Sequence, residues 1–202
     1  MSKVKVSVMT GKLKKVSAVN SSPLDNPFCL EMAKSSDNIC HYCYSQSMLK
    51  GFRKNCRPSW AKTGEKMSSQ PLDDSEVPTI KTELCRFSAH GELFNKTHAD
   101  NCFTIARGNP SVQFALWTKR PELVDVDNCP DNVVLVLSSK CVNVPDELPD
   151  GFHKVFTVWS GLGIEREGVI INCGARDCDA CRLCYNKNNG VVNVNEKIKG
   201  GK

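Results

Sequence analysis

A chain of 202 residues can bury a real core without covalent staples, and it reads as one domain over 1–202. No apolar run approaches the roughly 18 residues of a membrane span. "MSKVKVSVMTGKLKK" has no apolar stretch ahead of a small-residue cleavage site, so neither a membrane anchor nor a signal peptide is expected, and the expected compartment is the cytosol. The net charge of +5 gathers at Lys3, Lys5, Lys12, Lys14 and Lys15 and at Lys197, Lys199 and Lys202. These basic termini permit weak nucleic-acid contact, but they read first as solvated ends, since no helix-turn-helix, RNA-binding signature or basic–aromatic stripe accompanies them.

In chain order, "KVKVSVM" (3–9) alternates and predicts a strand. A Ser/Asn/Pro/Asp loop follows, then short helices in "FCLEMAK" and "CHYCYSQSMLKGF". Residues 55–75 are polar and ambiguous, and 67–78 predict a loop or lid. "LCRFSAHGEL" (84–93) begins as a strand, and "THADNCFTIARGNP" is a helix capped by Thr97 and stopped by Gly108. Strands are predicted at 112–118, 132–139, 153–160 and 168–173, with a short helix in "RPELVDV" and a short strand or tail in "VVNVNEKIKGGK". Continuous β-branched runs are buried on both faces, as in parallel strands covered by helices. The fold expected is α/β, a small or partial (β/α) TIM-like barrel of about six parallel strands.

In such sheets ligands bind beyond the carboxyl ends of the strands. The residues expected there are Ser88, His90, Glu92, Thr118, Lys119, Ser138, Ser139, Lys140, Trp159, Ser160 and Cys173. His90 and Glu92 flank Gly91 and suit acid–base work, a capped turn being the alternative. Arg86 lies inside a strand and needs either a Glu partner or an anionic ligand. Lys119 could serve an anion similarly, the alternative being an exposed helix start in "KRPE".

Twelve cysteines are many for a reduced compartment, which favours metal binding or catalysis over disulfides. Seven are clustered: Cys29, Cys40 and Cys43, then Cys173, Cys178, Cys181 and Cys184 as C-x4-C-x2-C-x2-C. Both groups, in loops 29–43 and 173–184, are expected at one end of the sheet. Cys85 and Cys102 read as small buried hydrophobes; Cys56, Cys129 and Cys141 as spare ligands. C-x2-C half-sites serve zinc as well as iron–sulfur clusters. The interval of about 140 residues between Cys43 and Cys181 exceeds the usual zinc-finger spacing, and the C-terminal run matches parts of ferredoxin motifs, so a 4Fe–4S cluster, one or two, is expected ahead of zinc. Three thiolates would leave one iron open to substrate.

"NPFCLEMAK", "CHYCY", "RFSAHGEL", "ALWTKRPE" and "NCGARDCDACRLCY" together resemble the phage gene product eighty-eight family, across residues 26–185. That resemblance implies a phage-encoded iron–sulfur protein in the host cytoplasm, with no established reaction. A more distant resemblance is to radical SAM enzymes, whose partial barrels carry C-x3-C-x2-C after the first strand. Cys40 and Cys43 fit the last two cysteines, but Ser36 stands where the first would be, and no Gly-rich methionine-binding stretch is present. No GxGxxG, P-loop, HExxH or GxSxG motif occurs. Three functions follow as expectations: a lyase-type enzyme using an open cluster iron on a small anionic or sulfur-containing substrate, including carbon–sulfur cleavage; a radical SAM enzyme that would bind SAM; or a non-catalytic, metal-stabilised module binding nucleic acid or protein.

Overall fold

The computed structural model describes residues 2–174 and 176–198; Lys199 and Lys202 of the basic C-terminus lie outside them. One sheet runs in chain order through β1 (Ser7–Val8), β2 (Val16–Val19), β3 (Leu84–Phe87), β4 (Gln113–Thr118), β5 (Val133–Ser138), β6 (Lys154–Trp159) and β7 (Asn193–Lys197). β1 pairs antiparallel with β2, and every other neighbouring pair is parallel. The α/β class and the run of parallel strands are as expected. The barrel is not: β1 and β7 are open edges that do not pair with each other. Closure needs enough strands, tilted and staggered, to return the last to the first. Here the first strand is a two-residue hairpin arm, and a side chain reaches across to the last strand. Lys12, in the turn between β1 and β2, donates to Glu196 of β7 at 2.8 Å and to the Cys173 sulfur at 3.0 Å.

The helical crossovers after β2 and β3 lie over one face of the sheet. On that face Val19, Cys85, Phe87, Phe114, Leu116, Val133 and Leu135 pack against Met67 and against Ala99, Cys102, Phe103 and Ile105. The first of these partners belongs to α3 (Arg57–Ser69), the rest to α4 (Lys96–Arg107). The other face, with Val16, Leu84, Ala115, Trp117, Val134, Val136, Phe156 and Val194, is covered by the C-terminal cysteine segment through Cys178, Leu183, Cys184 and Tyr185. Each large side chain so buried contributes about 2 kcal/mol of hydrophobic stabilisation, so this segment is part of the core. Among the described residues no helix is long and apolar enough to cross a membrane.

Four local expectations change. Residues 55–75 are mostly α3, whose buried face is Trp60, Thr63, Gly64 and Met67. That is i, i+3, i+4, i+7 spacing, hidden because a threonine and a glycine fill two of the four positions. The strand at 3–9 shrinks to Ser7–Val8, while the fully buried "VSAV" of β2 is the first parallel strand. Residues 168–173 form no strand: Ile170 is 80% exposed, and Cys173 makes only an isolated bridge to Glu196. The last strand is the polar "NVNEK", the short strand that is one of the two readings of that segment, and it is an edge that buries Val194. Asn95, not Thr97, caps α4, accepting from the His98 N–H; Gly108 ends it as expected.

Candidate functional site

The loop after β2 carries the first cysteine group, and its own polar residues wind it tightly. The Asn26 side chain accepts from Phe28 N and Cys29 N, starting α1 (Pro27–Met32), and its amide donates to the Glu92 carbonyl at 2.9 Å. Asn38 accepts from Cys40 N, opening the 3-10 turn Ile39–Tyr42. Ile39 N–H donates to the Lys140 carbonyl at 2.8 Å, hanging that turn on the loop after β5. Gln46, buried in α2 (Tyr44–Lys50), donates to the Cys29 carbonyl. Asx caps of this kind each contribute about 1 kcal/mol. Cys29, Cys40 and Cys43 thereby line one cavity of about 170 Å³ together with Arg86, His90, Glu92, Trp117, Lys119 and Ser138. The four residues expected to do chemistry and the first three thiols are thus in one place.

The sharp loop after β3 supplies two of them. Ser88 has φ +56° and Gly91 φ +85°. A Cβ at Gly91 would lie 2.4 Å from the Ser21 carbonyl oxygen, so the loop requires glycine there. His90 is buried, its ring stacked on Trp60 at 4.6 Å and its Nδ1 held by the Ser45 hydroxyl at 2.7 Å. Burial first, then the charges of Arg86 and Arg53, lower its pKa to about 4, so the ring is neutral near pH 7. Glu92 Oε1 accepts from Thr118 Oγ1 at 2.7 Å and from Leu93 N at 2.8 Å, and Oε2 accepts from Lys119 N at 2.8 Å. Burial raises its pKa against the pull of these donors and of Lys119. Glu92 therefore fastens the β3 loop to the end of β4 and positions Lys119, whose Nζ reaches Ser138 Oγ at 2.7 Å.

Electrostatics link the thiols to the cations. Burial pushes the Cys29 thiol up, with Glu92 and the other two cysteines adding to the rise and Lys119 opposing it. Burial likewise raises Cys40, again opposed by Lys119. Arg86 lies over the Trp117 ring at 3.7 Å, and its buried Nε has no hydrogen-bond partner. An orphaned guanidinium donor costs about 1–3 kcal/mol, which makes it the natural contact for an anion.

The second group does not join the first. Cys178 and Cys181 bound the short helix Cys178–Cys181, and Cys184 sits in the 3-10 turn Leu183–Tyr185 that packs on β4 and β5. Arg182 pairs with Glu83, just before β3, and Lys15, just before β2, pairs with Asp179. The segment therefore spreads over the second face toward the amino ends of those strands, while the first group lies at the carboxyl ends. Burial pushes Cys184 up to about 12, with Cys173 adding to the rise and Arg86 opposing it. Arg86 stands between the groups, acting on His90 on one side and on Cys178 and Cys184 on the other.

Among the described residues, no three His, Cys, Asp or Glu side chains meet closely enough to hold a single metal ion. Cys85 and Cys102 are buried in the core as expected; Cys129 packs on the core and Cys56 on the Met48–Leu49–Trp60 cluster. Sequence reasoning missed Ser45 and Trp60, the two residues that hold the His90 ring. Ser45 follows Cys43 by two positions, and Trp60 lies on a helix the pattern did not reveal.

No curated protein and no solved structure matches this chain. The family model of Gene product 88 matches residues 7–187, which takes in both cysteine groups, the cavity and all seven strands but the last. By that match, over far more than half of its length, the chain belongs to the Gene product 88 family.

Proposed function

We propose that the protein is an iron–sulfur enzyme, with Cys29, Cys40 and Cys43 holding a 4Fe–4S cluster at the carboxyl ends of the strands. The observation that carries this reading is the meeting of three thiols, two cations and a neutral imidazole around one cavity. The donor set fits such a cluster better than zinc. A single ion needs its ligands converged on one point, whereas each thiolate of a cluster takes a different iron and stands apart from the others. Bound by three thiolates, the cluster would supply a Lewis-acidic iron with an open position.

The chain's own residues define the rest. Arg86 and Lys119 attract and orient an anion, the first through its unpartnered Nε. His90 is neutral, and with Nδ1 engaged by Ser45 its Nε2 is the nitrogen left to give or take a proton. Glu92, its oxygens occupied by three donors, keeps Lys119 in place. A cavity of 170 Å³, already well under the roughly 300 Å³ at which drug-sized pockets begin, would have to share its space with the cluster on its three thiols, which favours a small anionic or sulfur-containing substrate. Lyase chemistry, carbon–sulfur cleavage included, suits this set because iron binds sulfur well. The four C-terminal cysteines would saturate a second cluster with a structural role.

Protein purified without oxygen should be brown and contain iron and acid-labile sulfide. Colourless protein with stoichiometric zinc would overturn the proposal. The radical SAM reading draws on one observation of its own: the first cysteine loop follows the first of six parallel strands in sequential order. It requires 5′-deoxyadenosine from SAM under reducing conditions, and its absence retires that reading while leaving the first intact.

A further inference from the structure

Residues 38–64 contain five basic side chains, Lys50, Arg53, Lys54, Arg57 and Lys62, and no Asp or Glu. The same segment holds all the large aromatic side chains that are exposed among the described residues: Tyr42 and Tyr44, each 66% exposed, and Phe52, 75% exposed. The pattern has a structural cause. α2 buries Met48 and Leu49 against Trp60 and buries Gln46 beside them, so helical spacing turns Tyr44, Ser47 and Lys50 outward on the opposite face. α2 ends at Gly51, and the turn that follows folds back on its last residues, Arg53 N–H donating to the Met48 carbonyl at 3.0 Å, which keeps Phe52, Arg53 and Lys54 next to the end of the helix. Arg57 is committed to Asp25 through two hydrogen bonds. Lys50 and Lys54 are exposed, while Arg53 reaches Thr10 at 2.8 Å with one guanidinium nitrogen. The surface adjoins the cavity, because Cys40 and Cys43 lie on the same stretch of chain.

Exposed aromatic rings interleaved with unopposed cations are what an unpaired polynucleotide strand requires: π-faces for bases and positive charge for phosphates. A duplex hides its base faces, and a seven-residue helix is short for reading a groove. A lipid surface would be met by a longer amphipathic helix with a broad aliphatic face. We propose that this surface binds single-stranded nucleic acid, with bases stacking on Tyr42, Tyr44 and Phe52 and phosphates meeting Lys50, Arg53 and Lys54. The strand would run past the mouth of the cavity. This inference stands whether or not the cavity holds iron.

Fluorescence anisotropy of a labelled oligothymidylate of about 15 nucleotides, titrated with the full chain, tests it. Binding is expected to weaken with salt on a log–log slope of about −2, the value for three neutralised phosphates on a single strand. A duplex of the same length should bind more weakly. Phe52→Ala should cost about tenfold in affinity. Lys50→Glu with Lys54→Glu should cost more and flatten the slope. Lys3→Glu with Lys5→Glu, on the basic N-terminus, should change neither. Circular dichroism confirms that each variant remains folded. Absence of binding at low salt overturns the proposal. So does equal binding of duplex with no effect of Phe52→Ala, which marks general charge attraction, and so does capture by phosphatidylserine vesicles without oligonucleotide binding.

Discussion

The Arg86 guanidinium lies 3.7 Å from the centre of the Trp117 ring, and its buried Nε finds no acceptor. The cation–π contact returns about 1 kcal/mol, while the unmet donor costs about 1–3 kcal/mol. Arg86→Met should therefore leave the metal-free protein as stable or about 1 kcal/mol more so, as measured by urea unfolding. It should also abolish binding of small anions. Clear destabilisation would mean that the guanidinium is a structural strut.

The second prediction concerns acid. His98 is fully buried in α4, and burial lowers its pKa from 6.5 to about 4; the Phe94 N–H points at its Nδ1. A histidine with a depressed folded pKa binds its proton in the unfolded chain first. Stability is therefore lost as pH falls from about 6.5 toward 4, by up to about 1.4 kcal/mol per pH unit. At pH 5 this group alone should cost about 2 kcal/mol relative to pH 7, and His90, shifted the same way, adds to it. Unfolding curves of His98→Gln should show a shallower acid limb. An unchanged limb would refute the assignment.

Gly91 tests the loop that carries His90 and Glu92. At φ +85°, with Ser21 backbone oxygen 2.4 Å from a would-be Cβ, Gly91→Ala combines backbone strain with a clash against main chain. The expected loss is about 3 kcal/mol, seen as a lowered Tm. Gly168→Ala is the control: φ is +61° there, but no atom lies within 4 Å of the added carbon, so the loss should be about 1 kcal/mol.

The separation of the two cysteine groups makes a prediction about iron. Cys40→Ala with Cys43→Ala should remove about half of the iron and leave the remainder on the C-terminal cysteines. Cys181→Ala with Cys184→Ala should remove the complementary share and, because that segment covers a face of the sheet, also lower stability. Loss of all iron from either pair would show a single shared site.

Composition and periodicity were enough to establish an α/β chain of parallel strands, because β4, β5 and β6 are short, β-branched or aromatic segments, mostly apolar and bounded by turn residues. The local chemistry was also legible: His90, Glu92 and Lys119 lie just past strand ends and Arg86 within β3, and all four line the cavity. What the sequence hid was decided by contacts between distant segments. β2 is too short to show a period of its own and is a strand because β3 offers it an edge; β7, read from the sequence as a short strand or tail, is settled as a strand by pairing with β6. α3 hid its buried face behind Thr63 and Gly64. Whether the sheet closed depended on its short first strand, and whether the two cysteine groups met depended on what covered the second face. Leu183 and Tyr185 took that place, spreading the C-terminal cysteines toward the amino ends of β2 and β3 while the first group stayed at the carboxyl ends. Residue spacing along a chain sets which thiols share a turn; only burial of the surrounding apolar side chains sets which turn they face.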